Sequence, residues 1–351
     1  MQANRRLFLK LVVAAAVSPG LAPSIKAASA PGLSDQSPVN QRGDLRVGLI
    51  SDLNGPYGTM NYSSSVHRGL ALLSELQPDL VLCAGDMVAG QKRSLQNSQL
   101  QRMWSSFEST ILDPLLKQEM VLIPTMGNHD ASSLRGGSGY LFERERLQAE
   151  AFWDRQKNRL TVEFIDASQY PFQFSFRRPG LFVVVIDASS SQVDGEQLQW
   201  LEQALASDDR SPQDFCIVMG HLPLTAVSVG RDRAGECISD ASALADVMRR
   251  RRVDLYVSGH HHAWYPGELL GQRVLSLGAM GNGPRRLLGG HRSSDPSLTL
   301  IDLFPATQSI RETTFSLNTF KPISTSALPI RITSTSFPDL RRRQSSWIYG
   351  S

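Results

Sequence analysis

The sequence predicts an α/β protein whose core is a largely parallel sheet. Short runs of Val, Ile and Leu alternate with amphipathic stretches of helical spacing. Several of the apolar runs end in Ser or Gly followed by Asp, Asn or His. Strands that alternate with helices favour parallel pairing, because each helix returns the chain to the same edge of the sheet. The polar residues are therefore expected to lie at the strand ends.

The elements can be assigned in order. From Leu45, the strand RVGLI leads through the loop NGPYG into the helix VHRGLALLSEL, and LVLC is the next strand. A second amphipathic helix places Leu100, Met103, Phe107 and Ile111 on one face and precedes the strand MVLIP. The apolar runs FCIVM and VDLYV predict two further strands.

Residues 131 to 160 interrupt this alternation. A glycine-containing loop is followed by the charged stretch ERERLQAEAFWDRQ, in which apolar residues are sparse. This composition predicts a solvated surface helix.

Seven side chains suited to metal coordination follow these apolar runs. A two-metal site needs oxygen and imidazole nitrogen donors from several strands, with a carboxylate to bridge the ions. Asp, Asn and His also occur in ordinary turns, but five such segments in succession favour a metal site. The candidates are Asp52, Asn54, Asp86, Asn128, His221, His260 and His262.

Five blocks in this order resemble the calcineurin-like metallophosphoesterase superfamily, whose pattern is D-x-H, G-D, G-N-H-D/E, H and G-H-x-H. The blocks are Ser51-Asp52-x-Asn54, Gly85-Asp86, Gly127-Asn128-His129-Asp130, Gly220-His221 and Gly259-His260-His261-His262. The resemblance runs from about residue 46 to residue 304. It implies a four-layer sandwich in which two mixed β-sheets are flanked by helices. One departure is Asn54, where the superfamily usually has His.

The resemblance also implies two metal ions, divalent or trivalent and drawn from manganese, iron or zinc. Asp52 and His262 would bind one ion and Asp86 would bridge both. The ligands of the other ion would be Asn128, His221 and His260. A water or hydroxide between the ions would attack phosphorus.

Two further residues receive roles from the resemblance. His129 is expected to protonate the leaving group as general acid, and Asp130 to orient its imidazole. In an extended segment, alternation places His260 and His262 on one side and His261 on the other.

Arginines near these blocks are candidates to bind the phosphate of a small-molecule substrate. Arg135 follows the GNHD block, and Arg285 or Arg286 follows GHHH. The motifs fit either a phosphomonoesterase or a phosphodiesterase. Purple acid phosphatases, a related branch, have a tyrosine ligand three residues after the bridging Asp, where this chain has Ala89.

Asn54 leaves a second interpretation open. An amide oxygen is a poorer donor to a transition metal than imidazole. The chain is therefore either a metal-dependent phosphoesterase, or a weak or inactive member of the fold that serves as a binding or scaffold protein.

The chain is long enough to bury a substantial core, and its charge does not predict nucleic-acid binding. Its formal net charge is +3, from 36 basic and 33 acidic residues. Four of the basic residues and none of the acidic ones lie within residues 1–30. The rest of the chain therefore has 32 basic and 33 acidic residues. An odd count of three cysteines does not indicate a disulfide framework.

The first 30 residues resemble a twin-arginine export signal. Asn4-Arg5-Arg6-Leu7-Phe8-Leu9-Lys10 precedes the apolar run LVVAAAV, which is too short to span a bilayer. Cleavage is expected after Ala30 or after Ser29. The resemblance implies passage through the twin-arginine translocase into the periplasm or an equivalent compartment, with no membrane span in the mature protein.

The expected organisation is a signal peptide over 1–30, a flexible linker over 31–44, a metallophosphoesterase domain over 45–305 and a C-terminal extension over 306–351.

Overall fold

The computed structural model describes residues 42–137, 139–281, 283–290 and 293–349. The signal peptide expected over 1–30 and residues 31–41 of the expected linker lie outside the described residues.

The strands and helices have the following bounds. The strands are β1 (Leu45–Ile50), β2 (Leu80–Cys83), β3 (Val121–Pro124), β4 (Arg135–Gly136), β5 (Gly139–Tyr140), β6 (Glu163–Gln169), β7 (Gln173–Arg178), β8 (Leu181–Val185), β9 (Phe215–Met219), β10 (Leu255–Ser258), β11 (Tyr265–Leu269), β12 (Gln272–Ser276), β13 (Ser297–Phe304), β14 (Ser309–Ser316), β15 (Arg331–Ile332), β16 (Leu340–Arg342) and β17 (Ser346–Ile348). The α-helices are α1 (Ser64–Leu76), α2 (Asn97–Phe107), α3 (Asp113–Leu116), α4 (Asn128–Ala131), α5 (Glu143–Gln156), α6 (Gly195–Leu205) and α7 (Ala241–Arg250). A π-helical turn over Glu108–Leu112 joins α2 to α3.

Two mixed sheets form the centre of the molecule. The first has the order β17-β14-β13-β1-β2-β3, and the second has the order β15-β16-β11-β12-β10-β9-β8-β7-β6. Strands β1, β2 and β3 are parallel, as are β8, β9, β10 and β12. The parallel strands therefore occupy adjacent positions in each sheet, and their carboxyl ends share an edge.

Both faces of the second sheet are buried. Leu181 and Val183 of β8 belong to an apolar cluster that also contains residues of the first sheet and of α1 and α2. Phe182 and Val184 belong to a second cluster with residues of α6 and α7. This alternation is the period of a strand packed on both sides. The layers are helix, sheet, sheet and helix, which confirms the four-layer sandwich expected from the sequence.

The helices begin and end at recognisable signals. The Asp194 carboxylate accepts a hydrogen bond from the Gln197 backbone N–H at the start of α6, and Asp240 does the same for Ala243 in α7. Helix α1 ends at Gln77, whose φ of 46° is left-handed.

Helix α5 corrects the expectation of a solvated surface helix. Phe152 and Trp153 are buried, and Phe152 stacks on Trp104 of α2 with ring centroids 4.7 Å apart. Arg146 is buried too, and its guanidinium donates to Ala131 O and to the Asp187 carboxylate. Two large aromatic residues anchor this helix where the sequence shows no apolar stripe.

The residues after 305 pair with both sheets. Strand β14 is antiparallel to β13 from Ser309 to Ser316, and β16 pairs with β11. The three cysteines are free thiols and are buried. Within the described ranges, no helix combines the length and apolar character that a membrane crossing requires.

Candidate metal centre

The site forms where the carboxyl ends of the parallel strands of the two sheets meet. Asp52 and Asn54 follow β1, Asp86 follows β2 and Asn128 follows β3. His221 follows β9, and His260 and His262 follow β10. The backbone N–H of His260 lies 3.2 and 3.1 Å from the two Asp52 carboxylate oxygens, so the sheets are joined at this point.

Four of the predicted ligands have left-handed backbone conformations. The φ angles are 54° for Asp52, 58° for Asp86, 65° for His260 and 52° for His262. Such angles are uncommon for residues other than glycine and occur often at functional sites. They turn these side chains towards one another at the strand ends.

Two glycines permit this close approach. Gly85 has a φ of +96°, and a Cβ there would lie 2.6 Å from His221 Nδ1. A Cβ on Gly127 would overlap the Asp86 carboxylate. Larger residues at either position would displace a predicted ligand.

Six of the seven predicted ligands are linked by short distances. Ligand atoms of Asp86, His221 and His260 all lie within 4.8 Å of one another. His221 Nε2 is 3.4 Å from Asp86 Oδ2 and 2.9 Å from Asn128 Oδ1. On the other side, His262 Nε2 is 3.3 Å from Asp52 Oδ1.

Backbone carbonyls orient two of the imidazoles. His221 Nδ1 donates to Ala84 O at 2.7 Å, and His262 Nδ1 donates to Gly283 O at 2.9 Å. A hydrogen bond at Nδ1 leaves Nε2 as the nitrogen that can bind a metal. Each ring therefore presents Nε2 to the centre.

His260 is held by a carboxylate instead. Its Nε2 lies 2.9 Å from the Glu236 carboxylate, so Nδ1 is the nitrogen left for the centre. Arg231 and Arg233 both donate to Glu236. Burial opposes charge on Glu236, but the hydrogen bonds from His260, Arg231 and Arg233 lower its pKa well below the usual value.

The two asparagines differ in their contacts. Asn128 Nδ2 donates to Gln91 Oε1 at 2.9 Å, which directs Oδ1 towards His221. Asn54 is buried, and its backbone N–H donates to Asp86 O at 3.1 Å. The structure therefore places Asn54 beside the bridging candidate.

Neighbouring charges in the centre shift one another's pKa values. Burial opposes charge on Asp86, but His221 and His129 lower its pKa far below the ordinary value. Burial also opposes charge on His221, yet the Asp86 carboxylate raises its pKa to about 9. Burial lowers the pKa of His260 to about 4. A metal would thus displace a proton from His221 and bind an already neutral His260.

At the other end of the centre, the balance favours an ion pair. Burial opposes the charge of both Asp52 and His262. Their mutual attraction nevertheless lowers the pKa of Asp52 and raises that of His262. Carboxylate, amide and imidazole donors gathered in this way fit divalent or trivalent transition metals.

His129 lies at the rim of the centre. Its Nδ1 is 3.3 Å from Gly90 O and its Nε2 is 4.0 Å from Asp86 Oδ2. Its backbone N–H donates to Asp86 Oδ1 at 2.9 Å. The ring of Tyr57 stacks on the imidazole with centroids 5.0 Å apart.

Asp130 binds backbone N–H groups and not the imidazole that it is expected to orient. Its carboxylate accepts four backbone N–H groups, from Asp86, Met87, Val88 and Gly127, at 2.7 to 2.9 Å. Its oxygens are therefore committed to the Asp86 loop, and Gly90 O lies beside the imidazole in the place expected for Asp130. Burial and the nearby Asp86 charge raise the pKa of Asp130 to about 7, although the four donors favour the ionised form.

Both ring nitrogens of His261 bond backbone groups outside the candidate ligand set, but for a reason other than strand alternation. Strand β10 ends at Ser258, and the left-handed turns at His260 and His262 set the directions. His261 Nδ1 accepts from Val227 N at 3.1 Å, and Nε2 donates to Glu236 O at 2.9 Å.

The three candidate arginines lie in different surroundings. Arg135 is exposed, and its guanidinium lies 4.7 Å from the centre of the Tyr140 ring. Arg285 is half-buried, and its backbone N–H donates to His262 O at 3.0 Å. Arg286 is exposed.

Sequence reasoning missed Gln91, Arg231 and Glu236. All three lie in loops, and each reaches a predicted ligand or its partner through tertiary contacts. The segment RDRAGEC around Glu236 is rich in charge, which is also typical of an ordinary surface loop. Its proximity to His260 has no local signal.

The chain is similar to known phosphoesterases and phosphatases. The model of the calcineurin-like phosphoesterase family matches residues 45–264. Probable purple acid phosphatase 20 of Arabidopsis thaliana is 24% identical over 214 residues, which are 60% of this chain and 45% of that protein. An acid phosphatase of Aspergillus ficuum is 35% identical over 86 residues, 24% of this chain and 12% of that protein. This chain spans less than half the length of these curated relatives.

Two solved structures share the fold. PhoD has a TM-score of 0.53 at 10% identity, over 84% of this chain and 73% of that one. GAP50, described as the anchor in the inner membrane complex of Plasmodium, has a TM-score of 0.50 at 13% identity, over 80% of this chain and 87% of that one.

Proposed function

Because the chain belongs to the calcineurin-like phosphoesterase family, we propose that it hydrolyses phosphate esters with the help of two transition-metal ions. The observation that carries the proposal is the convergence of carboxylate, amide and imidazole donors from both sheets. Ligand atoms of Asp86, His221 and His260 lie within 4.8 Å of one another, and Asp52 and His262 adjoin them.

The division of ligands follows these contacts. His262 would hold one ion with Asp52, and Asp86 would contact both. The second ion would be held by Asn128, His221 and His260. Each of these ligands is oriented by a second residue: Asn128 by Gln91, His221 by the carbonyl of Ala84, and His260 by Glu236. When bound, manganese, iron or zinc ions would activate water and stabilise charge on the phosphoryl oxygens.

His129 is the proposed general acid. A hydrogen bond from Nδ1 to Gly90 O leaves Nε2 facing the centre, where it can carry a proton to the leaving oxygen. Tyr57 covers one face of the ring and limits its rotation. Asp130 acts through the backbone, because it holds the loop that positions Asp86.

The substrate is proposed to be a small phosphate mono- or diester. Purple acid phosphatases are expected to have a tyrosine metal ligand three residues after the bridging Asp. This chain has Ala89 at that position. Tyr62 does not replace it, since its hydroxyl donates to Met87 O at 2.9 Å.

Asn54 favours a second candidate function. If an amide at this position fails to complete the first metal site, the protein would be a binding or scaffold member of the family with little activity. The other six predicted ligands lie close to one another and His129 Nε2 faces Asp86, which supports the enzyme.

A panel of chromogenic phosphate mono- and diesters would test the proposal. The purified protein would be assayed with manganese, zinc or iron, and again with chelator. Metal-dependent turnover of at least one ester is expected. Bound metal with no turnover across the panel would favour the scaffold function.

We also propose that the protein is exported by the twin-arginine translocase and acts in the periplasm or an equivalent compartment. The support is the Arg5-Arg6 motif and the apolar run that follows it. Export after folding would allow metal loading in the cytoplasm.

A further inference from the structure

Two loops bring a pair of arginines to the edge of the candidate metal centre. Ser228 and Leu287 form an antiparallel bridge, and Val229 N donates to Arg286 O at 2.8 Å. This register places Arg285 opposite Gly230 and next to Arg231. A Cβ on Gly230 would lie 3.7 Å from Arg285 Nη1, so the guanidinium rests against this glycine.

Both arginines contact predicted ligands, Arg231 through its side chain and Arg285 through its backbone. Arg231 Nη1 lies 3.3 Å from His260 Nε2 and donates to the Glu236 carboxylate. The backbone N–H of Arg285 donates to His262 O at 3.0 Å. The Arg231 guanidinium therefore lies beside the His260 ring, and the backbone of Arg285 is fixed at His262.

The donors of these arginines are incompletely used. Among the described residues, the Arg285 guanidinium has no hydrogen-bond or ion-pair partner, and the buried Nε atoms of Arg231 and Arg285 are both unpaired. Burial and the positive charge of Arg231 lower the pKa of Arg285. Two neighbouring, partly buried cations of this kind are stabilised by a bound anion.

We propose that Arg231 and Arg285 bind a doubly charged phosphate group, so that the site selects phosphate monoesters over diesters. The inference rests on the proposed hydrolase function. A monoester near neutral pH carries a second negative charge and a further free oxygen, and both would interact with a guanidinium pair. A diester has one charge, and alkylation blocks that oxygen.

Arg286 provides a matched control. The sequence offers Arg285 and Arg286 as alternatives, and the proposal assigns phosphate binding to Arg285 alone of these two, because the equally charged Arg286 has an exposed side chain. Arg285→Gln and Arg286→Gln would be compared using 4-nitrophenyl phosphate and 4-nitrophenyl methyl phosphate, which have the same leaving group. Metal content would be measured for each protein.

Wild-type protein is expected to prefer the monoester. Arg285→Gln should lower kcat/KM for the monoester by about 10- to 100-fold, the loss typical of a hydrogen bond to a charged group, and by much less for the diester. Arg286→Gln should leave both values nearly unchanged. Equal losses for the two esters, or equal effects of the two variants, would overturn the inference.

Calorimetric binding of inorganic phosphate to the metal-loaded proteins separates this inference from the proposed function. Absence of turnover with every ester would reject the hydrolase. The arginine pair would still be supported if Arg285→Gln weakened phosphate binding about tenfold or more relative to Arg286→Gln. Equal phosphate affinity in the two variants would reject it. Arg285→Lys keeps the charge but loses the planar guanidinium. Its phosphate affinity should lie between that of Arg285→Gln and that of the wild type.

Discussion

His129 and Asp130 are adjacent in sequence but act on different atoms. The imidazole of His129 faces the centre, whereas the carboxylate of Asp130 binds the backbone of the Asp86 loop. Substitutions at the two positions should therefore fail in different ways.

His129→Ala is expected to keep the metal content and to lower kcat by about 10²- to 10⁴-fold, the usual contribution of a general acid. The loss should be smallest for substrates with good leaving groups, which need little protonation. Asp130→Asn should instead reduce metal content, because an amide has a single acceptor oxygen and cannot accept all four backbone N–H groups that hold the loop of Asp86. Metal analysis and kinetics on both variants test this division. Loss of both ions from His129→Ala would contradict it.

Asn54 is the residue at which the two metal sites are expected to differ. Its amide is a weaker donor than the histidine usual in the family, so the ion near Asp52 and His262 should exchange more readily than the other. Asn54→His should tighten that ion alone. Occupancy measured against free metal concentration distinguishes the outcomes. Two equally tight ions in the wild type, unchanged by the substitution, would show that Asn54 is no ligand.

At the scale of elements, strands were easier to predict from sequence than long-range contacts. The runs that end at Asp52, Asp86 and His221 carry their own local pattern, and these strands form as predicted. The contact between Glu236 and His260 joins a loop to a strand end, and its existence depends on the packing of the whole sheet. The left-handed conformation of His260 likewise has no signal in a single sequence.

Helix α5 illustrates a second limit. Its few apolar residues suggested a surface helix, but they include two large aromatic side chains in contact with α2. Periodicity counts residues and does not register that two aromatics can bury as much apolar surface as a longer stripe.

This packing gives a stability prediction. Phe152→Ala should lower the free energy of unfolding by about 3–5 kcal/mol, since it removes a buried ring that stacks on Trp104. Leu147→Ala, on the same helix at a side chain that is 54% exposed, should change it by less than about 0.5 kcal/mol. Denaturant unfolding of both variants gives the two values. Similar values would mean that α5 is not anchored through its aromatic residues.

At the scale of the whole molecule, the candidate centre connects the two sheets. Asp52 and Asp86 follow strands of the first sheet, and His221, His260 and His262 follow strands of the second. A metal bound to ligands from both sheets stabilises the folded state over the unfolded chain.

Chelation should therefore lower Tm. At a free metal concentration 100 times Kd, each ion contributes about 2.7 kcal/mol, and removing it should shift Tm by several degrees. Asp86→Ala, which lacks the proposed bridge, should show a much smaller response to chelator. Calorimetric scans with and without metal provide the comparison. An unchanged Tm in the wild type would indicate that the ions do not link the sheets.

Export of the whole chain can be measured in a bacterium that has a twin-arginine translocase. The translocase recognises the paired guanidinium groups, which lysine does not reproduce. Arg5→Lys combined with Arg6→Lys should leave the unprocessed protein, folded and metal-loaded, in the cytoplasm. Lys26→Gln lies outside the motif and should be exported as the wild type is. Fractionation followed by mass spectrometry of the amino terminus reads both location and cleavage after Ser29 or Ala30. Export of the double-lysine variant at the wild-type level would exclude this route, and cytoplasmic retention of all three proteins would exclude the signal.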